Sequence, residues 1–286
     1  MRIGFVGLGN MGAPMAHHVA TAGHELAVFD ARRERAEPLA DVGARVASSA
    51  ADAASGAELV SVVVLDDPQV IDVTTGPDGV IAHMDPGAVL AVHSTVTIDC
   101  LRAVDEAARE RDVRVLDAGI SGGVPGATAG TLLVIAGGDA ATLDAARPGL
   151  APWSREIVHV GPLGAGMAAK IARNYVQYAC WAAIHHGQAL AQAAGVDLAT
   201  FEHIVESTDA IDSTKSTLGR RDVTRRPPSE LGERGPALEA AAALGLKDLA
   251  VAEALGAELG VPLPGLTGAR DGFPGSLGVT LEEEVA

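Results

Sequence analysis

Short apolar runs and Ala-rich amphipathic stretches alternate along the first half of the chain. Arg2–Val6, Glu25–Asp30, Leu59–Leu65, Ala88–Val92 and Val113–Asp117 are dominated by Val, Leu, Ile, Phe and Ala with little polar alternation, which is how strands buried on both faces read. Between them, Met11–Ala22, Arg33–Ala40 and Ile98–Arg109 carry apolar residues at helical spacing. Such alternation predicts a parallel sheet with helices on both faces. Gly130–Gly138 and Glu156–Val160 read as two further strands, giving a sheet of seven or eight.

After "VGPLGAG" (Val160–Gly166) the pattern changes. From Met167 to Ala194 the only glycine or proline is Gly187, and apolar residues recur at helical spacing. A helix over that span would be about 40 Å long, more than a sheet crossover requires. It reads as the spine of a second, all-helical part, with further helices at Leu198–Glu206 and Ala237–Leu259. The polar stretch Asp222–Gly235 between them reads as a loop or mobile segment. The predicted domains are 1–162 and 163–286.

The first strand runs into Gly7-Leu8-Gly9-Asn10-Met11-Gly12 and then straight into a helix. A G-x-G-x-x-G is weak alone. Here the strand precedes it, the helix follows it, and Asp30 closes the next strand 18 residues after Gly12, the context of a dinucleotide cradle. Gly7 then makes the turn, Gly9 lets the backbone approach the pyrophosphate, and Gly12 lets the helix pack on the sheet. The helix N-terminus faces the negative charge. An acid at Asp30 favours NAD, because it accepts from a ribose 2′-OH and repels a 2′-phosphate. Arg32 and Arg33 follow at once and could hold that phosphate instead, so NADP stays open.

Composition narrows the class. The formal net charge of −16 and an aromatic content of 3% argue against nucleic acid, which needs clustered cations and stacking platforms. Cys100 and Cys180 are far apart and read as reduced thiols. No apolar run is long enough to span a membrane, no secretory signal is seen, and no His-carboxylate cluster has metal spacing. The expectation is a cytoplasmic protein without metal, membrane or nucleic-acid partners.

Four blocks, in order, resemble the β-hydroxyacid dehydrogenases. "GFVGLGNMGAPMA" (Gly4–Ala16) resembles the cofactor loop and "LDAGISGGVPGATAGTLLVIAGGD" (Leu116–Asp139) the substrate segment. "GPLGAGMAAKIARN" (Gly161–Asn174) resembles the catalytic block and "LKDLAVA" (Leu246–Ala252) the C-terminal Lys-Asp block. The resemblance implies an N-terminal Rossmann-type doubly wound sheet, then an all-α C-terminal domain with a long interdomain helix. It implies Lys170 as general acid/base, tuned down from a lysine's usual pKa of about 10.4 by an interdomain cleft and a helix N-terminus. Asn174, one turn on, is expected to orient the substrate hydroxyl or the lysine. Ser121, Gly122 and Gly123 are expected to hold a substrate carboxylate in an anion nest, and Lys247 to stand near substrate and nicotinamide. Gly7, Gly9, Asn10, Met11, Gly12, Asp30, Leu65 and Thr95 complete the expected cofactor contacts, with Ser94 beside Thr95 at the sheet edge.

The chain also departs from that pattern. Val92 stands where the family has Asp, Gly119-Ile120 where it has Pro-Val, His186 where it has Glu, and Ala240 where an aromatic often precedes the Lys-Asp pair. His185 falls within about 20° of Asn174 on a helical wheel and reads as either a satisfied histidine or a residue lining the lysine's face. The implied function is an NAD(P)-dependent 3-hydroxyacid dehydrogenase acting on a small carboxylate-bearing substrate, assembled as a homodimer or homotetramer. The alternatives are an NADP-linked semialdehyde or imine reductase of the same fold, or a homologue kept for ligand binding.

Overall fold

The computed structural model describes residues 1–193, 195–208, 232, 235–259, 265–277 and 279. They form two compact units, Met1–Lys170 and Ile171–Ala286. In the first, eight strands make one sheet: β1 (Arg2–Val6), β2 (Glu25–Phe29), β3 (Arg45–Val46), β4 (Leu59–Val62), β5 (Val89–Val92), β6 (Arg114–Ser121), β7 (Leu132–Gly137) and β8 (Ser154–Gly161), in the order β3-β2-β1-β4-β5-β6-β7-β8. Its helices are α1 (Gly12–Thr21), α2 (Glu37–Ala40), α3 (Ala50–Ala54), α4 (Asp67–Thr75), α5 (Ile98–Arg109), α6 (Gly123–Ala129) and α7 (Ala140–Leu150).

Six strands run parallel, as the alternation predicts, but β7 pairs antiparallel with β6 and carries β8 with it. The connection explains the reversal. Only residues 122–131 join β6 to β7, whereas a crossover between parallel strands takes a dozen or more. All four residues of β4 and of β5 are buried, and Phe5, Met15, Val28, Leu132 and Trp153 belong to the core they share with the flanking helices. Helices α3, α4 and α5 start on Ser49, Asp66 and Thr97, whose side chains accept backbone N–H groups of the first turn. Helix α1 starts on Met11 without a side-chain cap.

Helix α8 (Ala165–Ala193) carries the boundary between the units. It begins two residues before the Met167 that the apolar pattern marks: Gly166 lies inside it, and Lys170 is in its second turn. The second unit adds α9 (Leu198–Thr208), α10 (Gly235–Leu259) and α11 (Leu266–Ser276). Ala182, Ala242, Leu249, Leu266 and Phe273 form its core. Gly245, mid-helix in α10, is there for packing, since a Cβ would run into the Phe273 ring. The polar stretch from Asp222 falls, but for Gly232 and Gly235, outside the described residues, as do the side chains of His185 and His186 and residue Ala194.

Candidate active site

The glycine loop leaves the C-terminal end of β1 in a shape its three glycines dictate. Gly7 sits at φ +93°, a conformation that side chains rarely adopt, and a Cβ there would meet the Val63 carbonyl. A Cβ on Gly12 would run into the Gly7 carbonyl, so this glycine is what lets α1 close down on the loop. A Cβ on Gly9 would meet nothing within 4 Å. Packing therefore explains Gly7 and Gly12, while Gly9 borders open space at the uncapped start of α1, where N–H groups and the helix dipole favour an anion. These residues fit a dinucleotide pyrophosphate. Asn10 is exposed and Met11 half-buried beside it.

Asp30, one residue past β2, is tied to that loop. Its Oδ2 accepts the Leu8 N–H at 2.7 Å and its Oδ1 the Arg32 N–H at 2.8 Å. Arg35 stands 3.7 Å from Oδ2; it is this arginine, not Arg32 or Arg33 through its side chain, that pairs with Asp30, and Arg33 pairs with Glu37. Leu65 and Thr95 follow the same ends of β4 and β5. Leu65 is 56% exposed and its N–H donates to Gln69 Oε1 at 3.2 Å. Ser94 Oγ accepts the Val64 N–H at 2.9 Å, joining the two loops. Gly7, Asp30, Leu65, Thr95 and Ser121, the last residue of β6, thus all lie at one edge of the sheet, the carboxyl ends of its parallel strands, where open α/β sheets bind ligands.

Ser121 is buried, and Gly122 and Gly123 follow it at φ +134° and +61°. Side chains rarely adopt either conformation, so both positions call for glycine. Earlier on the same strand stands Asp117, a functional candidate that no local motif marks. It is fully buried, its Oδ1 accepts the Gly164 N–H at 2.7 Å, and its Oδ2 accepts the Met167 N–H. A strand carboxylate therefore caps the helix that carries Lys170. Burial pushes its pKa up to about 6 despite those backbone donors. Lys170 itself is 8% exposed, and its stem lies over Gly119 of β6.

In the second unit, Asn174 is 1% exposed and donates through Nδ2 to Asp248 Oδ2 at 2.7 Å. The Tyr178 hydroxyl donates to the same oxygen at 3.0 Å, and burial together with Asp248 pushes that phenol's pKa up. Lys247 Nζ is 2.9 Å from Asp248 Oδ1. The Lys-Asp motif singles out its lysine and assigns nothing to its aspartate, yet Asp248 is the hub that Asn174, Tyr178 and Lys247 share. Among the described residues no three His, Cys, Asp or Glu side chains gather as a metal site, and no helix is long and apolar enough to cross a membrane.

Known proteins extend the geometry. Residues 2–161 match the NAD binding domain of 6-phosphogluconate dehydrogenase. An oxidoreductase of Mycobacterium tuberculosis strain H37Rv is 35% identical over 263 residues, 92% of this chain and 88% of its own length. The NAD-dependent L-serine dehydrogenase of Pseudomonas aeruginosa is 42% identical over 195 residues, 68% of this chain and 64% of its own. The M. tuberculosis 3-hydroxyisobutyrate dehydrogenase, solved with L-serine, superposes with a TM-score of 0.79 at 32% identity, covering 94% of this chain and 91% of that one. A cradle shaped for a dinucleotide, a buried lysine on a capped helix and these likenesses together place the chain in the β-hydroxyacid dehydrogenase family of NAD(P)-dependent oxidoreductases.

Proposed function

We propose that this enzyme oxidises a short 3-hydroxy acid with NAD, using Lys170 as general base, and that the same lysine returns the proton as general acid in reduction. The observation that carries the reading is Lys170 and Asn174, both buried and one turn apart on α8. Burying an ammonium and an amide costs free energy that packing alone does not repay. Serine and 3-hydroxyisobutyrate, named for the relatives, share a carboxylate with a hydroxyl two carbons away, and this pair of groups is what the residues suit.

The Ser121 hydroxyl and the N–H groups of Gly122 and Gly123 bind the carboxylate. Lys170 Nζ takes the hydroxyl proton. Asn174 has its Nδ2 engaged by Asp248, and its Oδ1, which accepts from Arg173 Nη1 at 3.3 Å, has a second lone pair for the lysine or the substrate hydroxyl. Lys247 adds positive charge for the anionic partners. Gly7, Gly9, Asn10, Met11 and Gly12 hold the pyrophosphate, with Leu65 and Thr95 along the sheet edge, and Asp30 selects a free ribose 2′-OH. The bound dinucleotide supplies the two-electron redox chemistry at its nicotinamide. Residues 1–162 serve as the cofactor domain and 163–286 as the substrate domain. Assembly as a homodimer or homotetramer is part of the proposal, with exposed Val176, Ile204 and Leu244 on the second unit's helices as apolar surface for it.

The test is turnover of L-serine, 3-hydroxyisobutyrate and other short 3-hydroxy acids, with NAD and NADP side by side. NAD should be preferred, and Lys170→Ala should lower kcat by about 10²–10⁴-fold, the usual worth of a general base. Turnover that survives the substitution removes Lys170 from the chemistry.

A further inference from the structure

Strand β6 grips the start of α8 and then meets the lysine two residues later. Asp117 accepts the Gly164 and Met167 N–H groups. The helix backbone also lies directly on β7: a Cβ on Gly166 would stand 2.5 Å from Gly137 N and 2.6 Å from the Ile135 carbonyl oxygen. The first turn of α8 is therefore held from two strands and has no room to slide. Gly119, buried on β6, faces the stem of Lys170. A Cβ there would stand 2.9 Å from Lys170 Cβ and 3.0 Å from its Cγ, against about 3.5–4.0 Å for carbon atoms in contact.

We propose that Gly119 is a positioning residue for the reaction: its bare backbone is the seat of the Lys170 stem, and any side chain there moves the amine. The inference rests on Lys170 being the acid/base. With the helix start pinned, the missing 0.5–1 Å or so has to come from a shift of β6 at the Lys170 Cβ, which no side-chain torsion moves, and from the lysine's own torsions at its Cγ. An error of about 1 Å in a reacting group costs on the order of 10²-fold. The family pattern carries proline here, which has a Cβ, so this seat belongs to this chain rather than to the pattern.

The experiment is a double-mutant cycle in the full chain: Gly119→Ala, Lys170→Gly and both together, with kcat, KM, NAD binding and Tm measured for each. Lys170→Gly removes both carbons that the new methyl would meet. Gly119→Ala should lower kcat at least tenfold, with KM for the hydroxy acid and NAD binding within about twofold of the parent. In the Lys170→Gly background the same change should cost no further activity and less Tm. If Gly119→Ala is insoluble, the double variant should regain solubility. A kcat within twofold of the parent overturns the proposal, as does an equal loss of rate or stability in both backgrounds, or insolubility of both Gly119→Ala variants. Parent-level activity in Lys170→Gly alone overturns the acid/base reading instead, and a collapse there with an innocuous Gly119→Ala sinks only the seat.

Discussion

Two buried titratable residues of the first unit respond to acid in opposite senses. His93 is wholly enclosed, with Nδ1 at 2.8 Å from the Ala118 carbonyl, Nε2 at 3.1 Å from Ser61 Oγ, and Trp153 edge-on against the ring. A carbonyl only accepts, so Nδ1 carries the proton and Nε2 accepts from the serine hydroxyl. Burial lowers this histidine's pKa from 6.5 to about 4. As pH falls through that window the unfolded chain takes up a proton that the fold refuses, so stability falls with pH, by about 3 kcal/mol in all. Asp117 is shifted upward, from 3.8 to about 6; the fold takes the proton first, so its contribution is full below pH 3.8 and is lost as pH rises through 6. The two slopes oppose each other between pH 4 and 6. His93→Gln keeps a donor and an acceptor without titrating. Relative to the wild type, its unfolding free energy should therefore rise by about 3 kcal/mol between pH 7 and pH 4 in urea titrations, and a constant difference would show that His93 does not stay neutral.

At the scale of elements, the glycine loop separates glycines that the fold requires from one that the fold does not. Gly12→Ala drives a Cβ into the Gly7 carbonyl, and Gly9→Ala meets nothing. Gly12→Ala should lower Tm by several degrees, as a buried steric change of about 1–3 kcal/mol does. Gly9→Ala should keep the parental Tm without cofactor yet weaken NAD binding at least tenfold; unchanged binding in a folded Gly9→Ala protein would move the pyrophosphate elsewhere. The strand-helix rhythm was legible because it is local: β1, β5 and α5 stand where the apolar pattern put them, to within a residue. β6 runs four residues past its expected end at Asp117, because Gly119 and the glycines after it break the apolar run that marks a strand. The two-residue β3 has no run to see, and α6, "GVPGATA", reads as loop by composition. Ser121, Lys170 and Asn174 were visible through motifs. Asp117 was not, since its partners Gly164 and Met167 are some 50 residues away and only folding makes a strand carboxylate into a helix cap. Asp248 was hidden likewise: nothing in "LKDLAVA" says that the aspartate reaches back to Asn174 and Tyr178 on α8.

Across the whole molecule the dominant electrostatic fact is imbalance. The chain has 37 acidic against 21 Lys and Arg residues, for a net charge of −16. Even with every cation paired, many carboxylates would face only other carboxylates. Ion pairs such as Arg33–Glu37, Arg102–Asp99 and Arg270–Glu253 are largely exposed, and pairs of that kind contribute about 0–1 kcal/mol each. Added salt weakens both these attractions and the longer-range repulsion, since the Debye length falls from about 30 Å at 0.01 M to about 10 Å at 0.1 M. The repulsion is carried by more charges over longer distances, and it opposes the compact state, so its loss outweighs that of the pairs. Raising NaCl from 10 to 200 mM at pH 7.5 should therefore raise Tm by a few degrees in the cofactor-free enzyme, on the order of 1 kcal/mol. The gain should level off once the Debye length is shorter than the spacing between neighbouring carboxylates. A Tm that falls with salt would mean that the ion pairs outweigh the excess negative charge, and would reverse this ordering of the two effects.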